Sequence, residues 1–275
     1  MAFLIIALLV GAPAAAQNPK TNSSLLENLA LCNGGDRTSP DPQITGCTAV
    51  INAVGARAPA AAMAYNNRGD AYTEKGDYGR AIEDFDQSIK LNPTDAKPFN
   101  NRGSAYLKKG EFDLAIKNLE EAIRLDPNYA KAFLNRAQIY EKKNAYDRAV
   151  RDYDEAIRIQ PDLKIALSGR CWTRAILGEL EAALEDCNKV LQSEPTDAVT
   201  LDSRGLTYMK MGLFDAAVDD YNSALRLDPK LASALYGRGL AKRKKGDKLG
   251  GETDMAAAKK IQAKVDVDFA RYGVP

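Results

Sequence analysis

The chain has 275 residues, of which 45% are hydrophobic and 27% are charged, proportions typical of a folded globular protein. Its 38 basic and 37 acidic residues nearly cancel, which argues against binding to nucleic acids or anionic membranes through bulk charge. The chain contains no histidine, so mechanisms that need a histidine base are excluded, as are histidine-ligated metal sites.

The N-terminus has the pattern of a signal peptide over residues 1–16. An apolar run from Phe3 to Val10 is followed by three alanines that match a cleavage site, which makes Gln17 the first mature residue. The run is too short to span a bilayer, although no basic residue precedes it. A buried N-terminal helix is the alternative. We therefore expect an exported protein, in the periplasm or secreted, with no integral membrane segment.

Two segments are expected before the main body of the chain: a disordered leader over residues 17–23 and an N-terminal helical cap over residues 24–61. The stretch ITGCTAVIN at 44–52 aligns with IEDFDQSIK at 82–90, with the apolar positions in register. The cap therefore resembles a degenerate half-repeat, interrupted by a turn-rich loop at 33–42.

From residue 62 the sequence repeats every 34 residues. Six units begin at Ala62, Ala96, Ala130, Lys164, Ala198 and Ala232. Positions within a unit are numbered here as columns. Column four is apolar or aromatic, column seven is always arginine, and column eight is small. Columns four, eight and eleven share one helical face, and columns 20, 24 and 27 share another, which predicts two amphipathic helices in each unit.

These columns resemble the tetratricopeptide repeat (TPR), whose pattern over 34 residues is W-x2-L-G-x2-Y, then A-x3-F, then P. The first unit matches it with Tyr65, Gly69, Tyr72, Ala81, Phe85 and Pro93. Arginine at column seven departs from the family's leucine. We expect these arginines to pair with acidic residues of adjacent helices, such as Asp84 or Asp152.

The resemblance implies an all-α fold, a right-handed superhelical solenoid of about six helix-turn-helix units, because each pair buries its apolar face only against its neighbours. The TPR array covers residues 62–251. Residues 252–275 then supply the last helix of unit six and a C-terminal capping helix with a polar back.

Four cysteines in an exported chain favour disulfides. In the TPR register, Cys171 and Cys187 occupy columns eight and 24 of unit four, which face each other in an antiparallel pair. Cys32 and Cys47 have a similar spacing in the N-terminal cap. We therefore predict the pairs Cys32–Cys47 and Cys171–Cys187, with small packing residues as the alternative for the second pair. The spacings do not fit a metal site, and no cofactor is expected.

In the TPR family the first helices line a concave groove that binds peptides or proteins. In units one to three this groove is polar, and the candidate partner-binding residues are Asn67, Asn101 and Asn135 at column six and Lys131 at column two. We expect the asparagines to hydrogen-bond the backbone of an extended ligand, with exposed polar filler as the alternative. The lysine and asparagine clamp that captures C-terminal carboxylates in some TPR proteins is incomplete here.

In units four and five the groove becomes apolar. The candidate partner-binding residues there are Ile165, Trp172, Ile176, Val199, Leu206 and Met209. An exposed apolar surface of this size often marks a binding site. The alternative is that neighbouring units or a dimer partner cover it.

Together these features predict a non-catalytic scaffold that binds a protein or peptide partner in the cell envelope. One alternative is a structural or self-associating spacer in an envelope assembly, and a homo-oligomer is consistent with both interpretations. The other alternative is an enzyme or an enzyme accessory subunit, for which the sequence offers neither a catalytic motif nor a glycine-rich phosphate loop. No nucleic-acid partner is expected.

Overall fold

The computed structural model describes residues 19–34 and 39–274, with side chains from residue 24 onward. These ranges contain α-helices and one short 3-10 helix, and no β-strand. The predicted signal peptide, residues 1–16, lies outside the described residues. None of the helices in the described ranges combines the length and apolar character that crossing a bilayer requires.

The first helix pair consists of α1 (Pro19–Cys32) and α2 (Pro40–Val54). A disordered leader was expected over residues 17–23, but helix α1 begins at Pro19, inside this segment. Proline is well tolerated in the first turn of a helix. The two helices approach closely at Gly46, where a Cβ atom would lie 2.6 Å from the Cβ of Leu31. A 3-10 helix, Pro59–Ala61, leads into the repeats.

Six further pairs follow, and their first helices begin at the residues that start the six sequence units. These first helices are α3 (Ala62–Glu74), α5 (Ala96–Lys109), α7 (Ala130–Lys142), α9 (Lys164–Leu177), α11 (Ala198–Lys210) and α13 (Ala232–Lys244). The second helices are α4 (Tyr78–Leu91), α6 (Phe112–Leu125), α8 (Tyr146–Ile159), α10 (Leu180–Ser193), α12 (Phe214–Leu227) and α14 (Lys248–Ile261). A short helix, α15 (Val265–Arg271), comes last.

The chain divides into two compact units, Met1–Asn135 and Arg136–Pro275, called here the N-terminal and C-terminal units. Within each of them the two helices of a pair pack against each other, and consecutive pairs pack side by side. The fold is therefore the predicted all-α solenoid of helix pairs.

The small residues of column eight let the two helices of a pair approach. A Cβ atom on Gly69 would lie 2.6 Å from the ring of Phe85, and one on Gly205 would lie 2.7 Å from the ring of Tyr221. Both aromatic residues occupy column 24 and are fully buried. The pairing of a glycine with a large side chain therefore fills the space between the helices without a void.

The column-seven arginines join the two helices of each pair through bidentate ion pairs. Arg68 donates to both carboxylate oxygens of Asp84, at 2.7 and 2.8 Å. The same arrangement recurs in Arg136–Asp152, Arg170–Asp186, Arg204–Asp220 and Arg238–Asp254. In unit two, Arg102 instead donates to Asn118 and to Asp86. The predicted pairing with acids of adjacent helices is thus confirmed, and its geometry is the strong, directional one for arginine.

The structure pairs the cysteines as predicted. Cys32 of α1 bonds to Cys47 of α2, with a Cα–Cα distance of 4.4 Å. Cys171 of α9 bonds to Cys187 of α10, with a Cα–Cα distance of 5.5 Å. Each bridge therefore lies within one helix pair and fixes the two helices to each other.

Candidate binding grooves on the first helices

In the N-terminal unit, the side chain of Asn101 forms hydrogen bonds with residues of the first helices α3 and α5. Its side-chain nitrogen donates to Asn66 Oδ1 at 3.0 Å and to Asp70 Oδ2 at 3.1 Å. Its oxygen accepts a hydrogen bond from Asn100 Nδ2 at 3.0 Å. Because an amide nitrogen carries two hydrogens, both donors of Asn101 are already used within the chain.

The other two column-six asparagines behave similarly. Asn67 Nδ2 donates to the carbonyl oxygen of Cys32 and to Asn33 Oδ1, both at 3.2 Å. Asn135 Nδ2 donates to Asn100 Oδ1 at 2.9 Å. These asparagines therefore connect successive first helices. Their expected contact with a ligand backbone stays a prediction, and Asn67 and Asn101 could donate to a ligand only by giving up these bonds.

A polar cavity of about 790 Å³ opens beside the asparagines of the N-terminal unit. Asp70, Ser104 and the exposed Lys131 line it, together with residues of α2. Burial raises the pKa of Asp70 to about 6, and the positive charge of Lys131 opposes this rise. The cavity lining is polar and of mixed charge, so it favours no single class of ligand.

In the C-terminal unit, part of the predicted apolar groove is covered by the chain itself. Leu206 and Met209 are only 4% and 5% exposed, and they belong to one buried cluster with Val265, Phe269 and Val274. We call residues 265–274 the C-terminal segment. The expectation that Leu206 and Met209 lie open in the groove is therefore corrected: they are buried in one cluster with residues of unit six, such as Leu240, and with this segment.

The C-terminal segment is held on the groove by polar and aromatic contacts. Lys210 Nζ donates to the carbonyl oxygens of Ile176 and Tyr272, both at 2.9 Å. The ring of Tyr272 meets Trp172 edge-on, with centroids 5.4 Å apart, and Tyr146 meets Trp172 edge-on at 5.9 Å. Trp172 and Ile176 are accordingly half-buried. The segment thus reaches back from unit six to unit four instead of only closing the end of the array.

The other part of the predicted groove is open. Ile165 and Val199, on the first turns of α9 and α11, are 61% and 63% exposed. They line a cavity of about 520 Å³, and Trp172 forms part of its wall. The predicted apolar groove therefore has two parts. It is covered towards the C-terminal ends of α9 and α11 and open towards their N-terminal ends.

Two half-buried carboxylates face the open cavity. Glu141 Oε1 accepts a hydrogen bond from Thr173 Oγ1 at 2.7 Å. Asp202 Oδ2 accepts one from Ser233 Oγ at 2.5 Å. Burial raises the pKa of both carboxyl groups to about 7, because the hydroxyl groups offset only part of the lost hydration. Neither residue is among the candidate partner-binding residues that the sequence indicated.

Family models agree with the repeat register. A TPR repeat model matches residues 69–110 and 205–246, and a tetratricopeptide repeat model matches residues 100–164. The chain belongs to the tetratricopeptide repeat family. No curated protein sequence matches it.

Solved structures share the TPR fold at low sequence identity. A TPR protein from Parabacteroides merdae is 16% identical, with a TM-score of 0.65 over 92% of this chain and 98% of its own. YrrB, described as a TPR protein with an unusual peptide-binding site, is 20% identical, with a TM-score of 0.54 over 69% of this chain and 99% of its own. Pseudomonas aeruginosa pilF is 15% identical, with a TM-score of 0.63 over 76% of this chain and 96% of its own. At such identities the likeness shows the fold alone.

The TPR register of this chain contains a further pattern that joins neighbouring units. Tyr153 and Tyr221 occupy column 24 of units three and five, and Gly169 and Gly237 occupy column six of the units that follow. In both cases the tyrosine hydroxyl lies where a glycine Cβ atom would be, at 2.5 Å for Gly169 and 2.4 Å for Gly237. Because glycine has no side chain at these two positions, the hydroxyls of Tyr153 and Tyr221 on the second helices reach the groove side of the first helices. The sequence carried this signal in the pairing of tyrosine with a glycine sixteen residues later.

Proposed function

We propose that this TPR protein is a non-catalytic scaffold that holds a segment of another protein in the open part of the groove of its C-terminal unit. TPR proteins are generally protein-interaction scaffolds. The observation that carries the proposal is the exposure of Ile165 and Val199, 61% and 63%, beside a cavity of about 520 Å³. Ligand-binding sites are typically concave and lined by apolar side chains, as this cavity is.

The helices that form the proposed binding surface are cross-linked within their pairs, which favours a preformed groove. The Cys171–Cys187 bridge fixes α9 to α10, and Arg204 holds α11 to α12 through both oxygens of Asp220. A preformed groove loses little conformational entropy when it binds an extended segment. The description of YrrB as carrying a peptide-binding site supports the same use of this fold.

The proposed setting is the cell envelope. Two disulfides are stable in an oxidising compartment and are rare in the reducing cytosol. The signal-peptide pattern of residues 1–16 points in the same direction.

Site-specific photo-crosslinking in the source cell tests the proposal. A photo-reactive amino acid at Val199 faces the open groove, and one at the exposed Glu185, on the second helix of unit four, is the matched control. We expect one dominant foreign protein to crosslink at position 199 and not at position 185. Adducts between copies of this chain would support the self-associating spacer instead, and equal adducts at both positions would contradict the groove as the binding surface.

A further inference from the structure

The charge of the open cavity is strongly unbalanced. Its lining includes four acidic residues and one basic residue, Lys164. Lys164 forms an ion pair with Glu194, and Asp197 accepts a hydrogen bond from the backbone nitrogen of Thr200 at 2.9 Å at the start of α11. The single positive charge and one of the acids are therefore already paired.

Glu141 and Asp202 remain without a cation. Neither forms an ion pair with any lysine or arginine in the described ranges, and each has only hydroxyl donors as close partners. By contrast, the buried aspartates at column 23 of the second helices each form an ion pair with an arginine. Ionised carboxylates in a partly desolvated site are costly unless they take up a proton or a positive group pairs with them.

A second polar group without a partner lies near Asp202. Tyr221 is fully buried, and its hydroxyl has no hydrogen-bond partner among the described residues. The hydroxyl lies beside Gly237, one helical turn from Ser233, which bonds Asp202. A buried hydroxyl without a partner is uncommon, and here it adds a second uncompensated polar group close to Asp202.

The apolar rim limits the class of ligand further. Ile165, Val199 and Trp172 border the same cavity, so a ligand that is only a free cation would leave this surface exposed to water. An extended peptide segment can provide both a positive charge and apolar side chains, and its backbone can form hydrogen bonds.

We propose that the open cavity binds an extended peptide segment in which a lysine or arginine side chain, flanked by apolar residues, meets Glu141 and Asp202. This inference rests on the proposed scaffold function and specifies its ligand. The cation contributes the charge that the groove lacks, and the flanking apolar side chains cover Ile165 and Val199. Charge complementarity is the feature that selects a basic partner over an acidic or a purely apolar one.

The test uses the full chain and two synthetic peptides that differ only in charge. One is acetyl-Val-Arg-Val-amide, and the other carries citrulline, the uncharged isostere of arginine, at its centre. Trp172 is the only tryptophan in the chain and lines the cavity, so its fluorescence reports occupation directly. We expect the arginine peptide to change this fluorescence saturably and the citrulline peptide to bind at least about tenfold more weakly.

Two substitutions identify the groups that recognise the charge. Asp202→Asn and Glu141→Gln keep the size of each side chain, and each should weaken binding of the arginine peptide about tenfold while leaving the citrulline peptide unchanged. Glu185→Gln, on the exposed surface of α10, should change neither peptide.

Equal binding of the two peptides, unaltered binding by Asp202→Asn and Glu141→Gln, or no binding of either peptide would overturn the inference. These outcomes leave the crosslinking at Val199 as a separate test of the scaffold. A foreign adduct at position 199 that persists in the Asp202→Asn variant would retain the proposed function and reject a basic ligand.

Discussion

The hydroxyl of Tyr221 lies 2.4 Å from the position that a Cβ atom on Gly237 would take, so the two residues cannot both be large. The equivalent positions in units two and three carry different residues: Leu119 occupies column 24 of unit two, and Asn135 occupies column six of unit three. The choice at one column therefore depends on the choice in the neighbouring repeat, and this coupling can be measured.

Gly237→Ala should destabilise the protein by about 2 kcal/mol, the usual cost of overpacking a close contact. Tyr221→Leu in the same chain should recover part of this loss, because leucine lacks the ring atoms that would meet the new methyl group. Chemical denaturation of the two single variants and the double variant measures the interaction. If the losses of stability in the two single variants simply add in the double variant, residues 221 and 237 do not interact.

Phe269→Ala should loosen the C-terminal segment. Phe269 is 2% exposed and packs against Tyr236 with ring centroids 4.9 Å apart, so its truncation should cost about 3 kcal/mol. Hydrogen exchange should then rise in α15 and in the region of α11 around Met209. Val267→Ala, at a position that is 54% exposed on the same helix, is the matched control and should change neither. Similar effects of the two variants would argue against the covered groove.

Loss of the Cys171–Cys187 bridge, by replacing both cysteines with alanine, should lower stability by about 3 kcal/mol, because the bridge closes a short loop in the unfolded chain. Thermal unfolding with and without a reductant measures this. The variant should retain a smaller response to reductant, which comes from Cys32–Cys47. An unchanged midpoint in the variant would mean that the bridge adds nothing to the stability of the C-terminal unit.

Glu141→Gln should flatten the dependence of stability on pH. Burial raises the pKa of Glu141 to about 7 in the folded state, above its value of 4.5 in an unfolded chain. The folded state therefore binds more protons between these values, and its free energy of unfolding falls as the pH rises through this window. At pH 8 the variant should be more stable by about 2 kcal/mol, which allows for solvent reaching the groove. Urea denaturation at pH 5 and pH 8 tests this, with Glu185→Gln as the control that should retain the wild-type slope.

The parts of the structure that repeat were predictable from sequence. The period of 34 residues gives the start of every first helix, and the arginine column gives pairs such as Arg68–Asp84. Each of these features is local to one helix pair, so the register alone determines which side chains face each other.

The parts that depend on packing between distant segments were not predictable in the same way. The C-terminal segment lies outside the 34-residue repeat, so the repeat does not predict its contacts. Its apolar residues Val265, Phe269 and Tyr272 do follow a helical spacing that indicates a buried face. The cost of burying Glu141 and Asp202 depends on which groups surround them in the groove. The partners of Asn101 likewise depend on side-chain orientations that a column does not specify.

The position of the C-terminal segment also has a consequence for biogenesis. Residues 265–274 are synthesised after all the helices that they contact, so Leu206 and Met209 lack part of their cover on the growing chain until this stretch has emerged. A chain that stops before residue 265 would leave part of this apolar surface exposed to association with other chains. The core cluster of the C-terminal unit is therefore completed only when residues 265–274 have been synthesised.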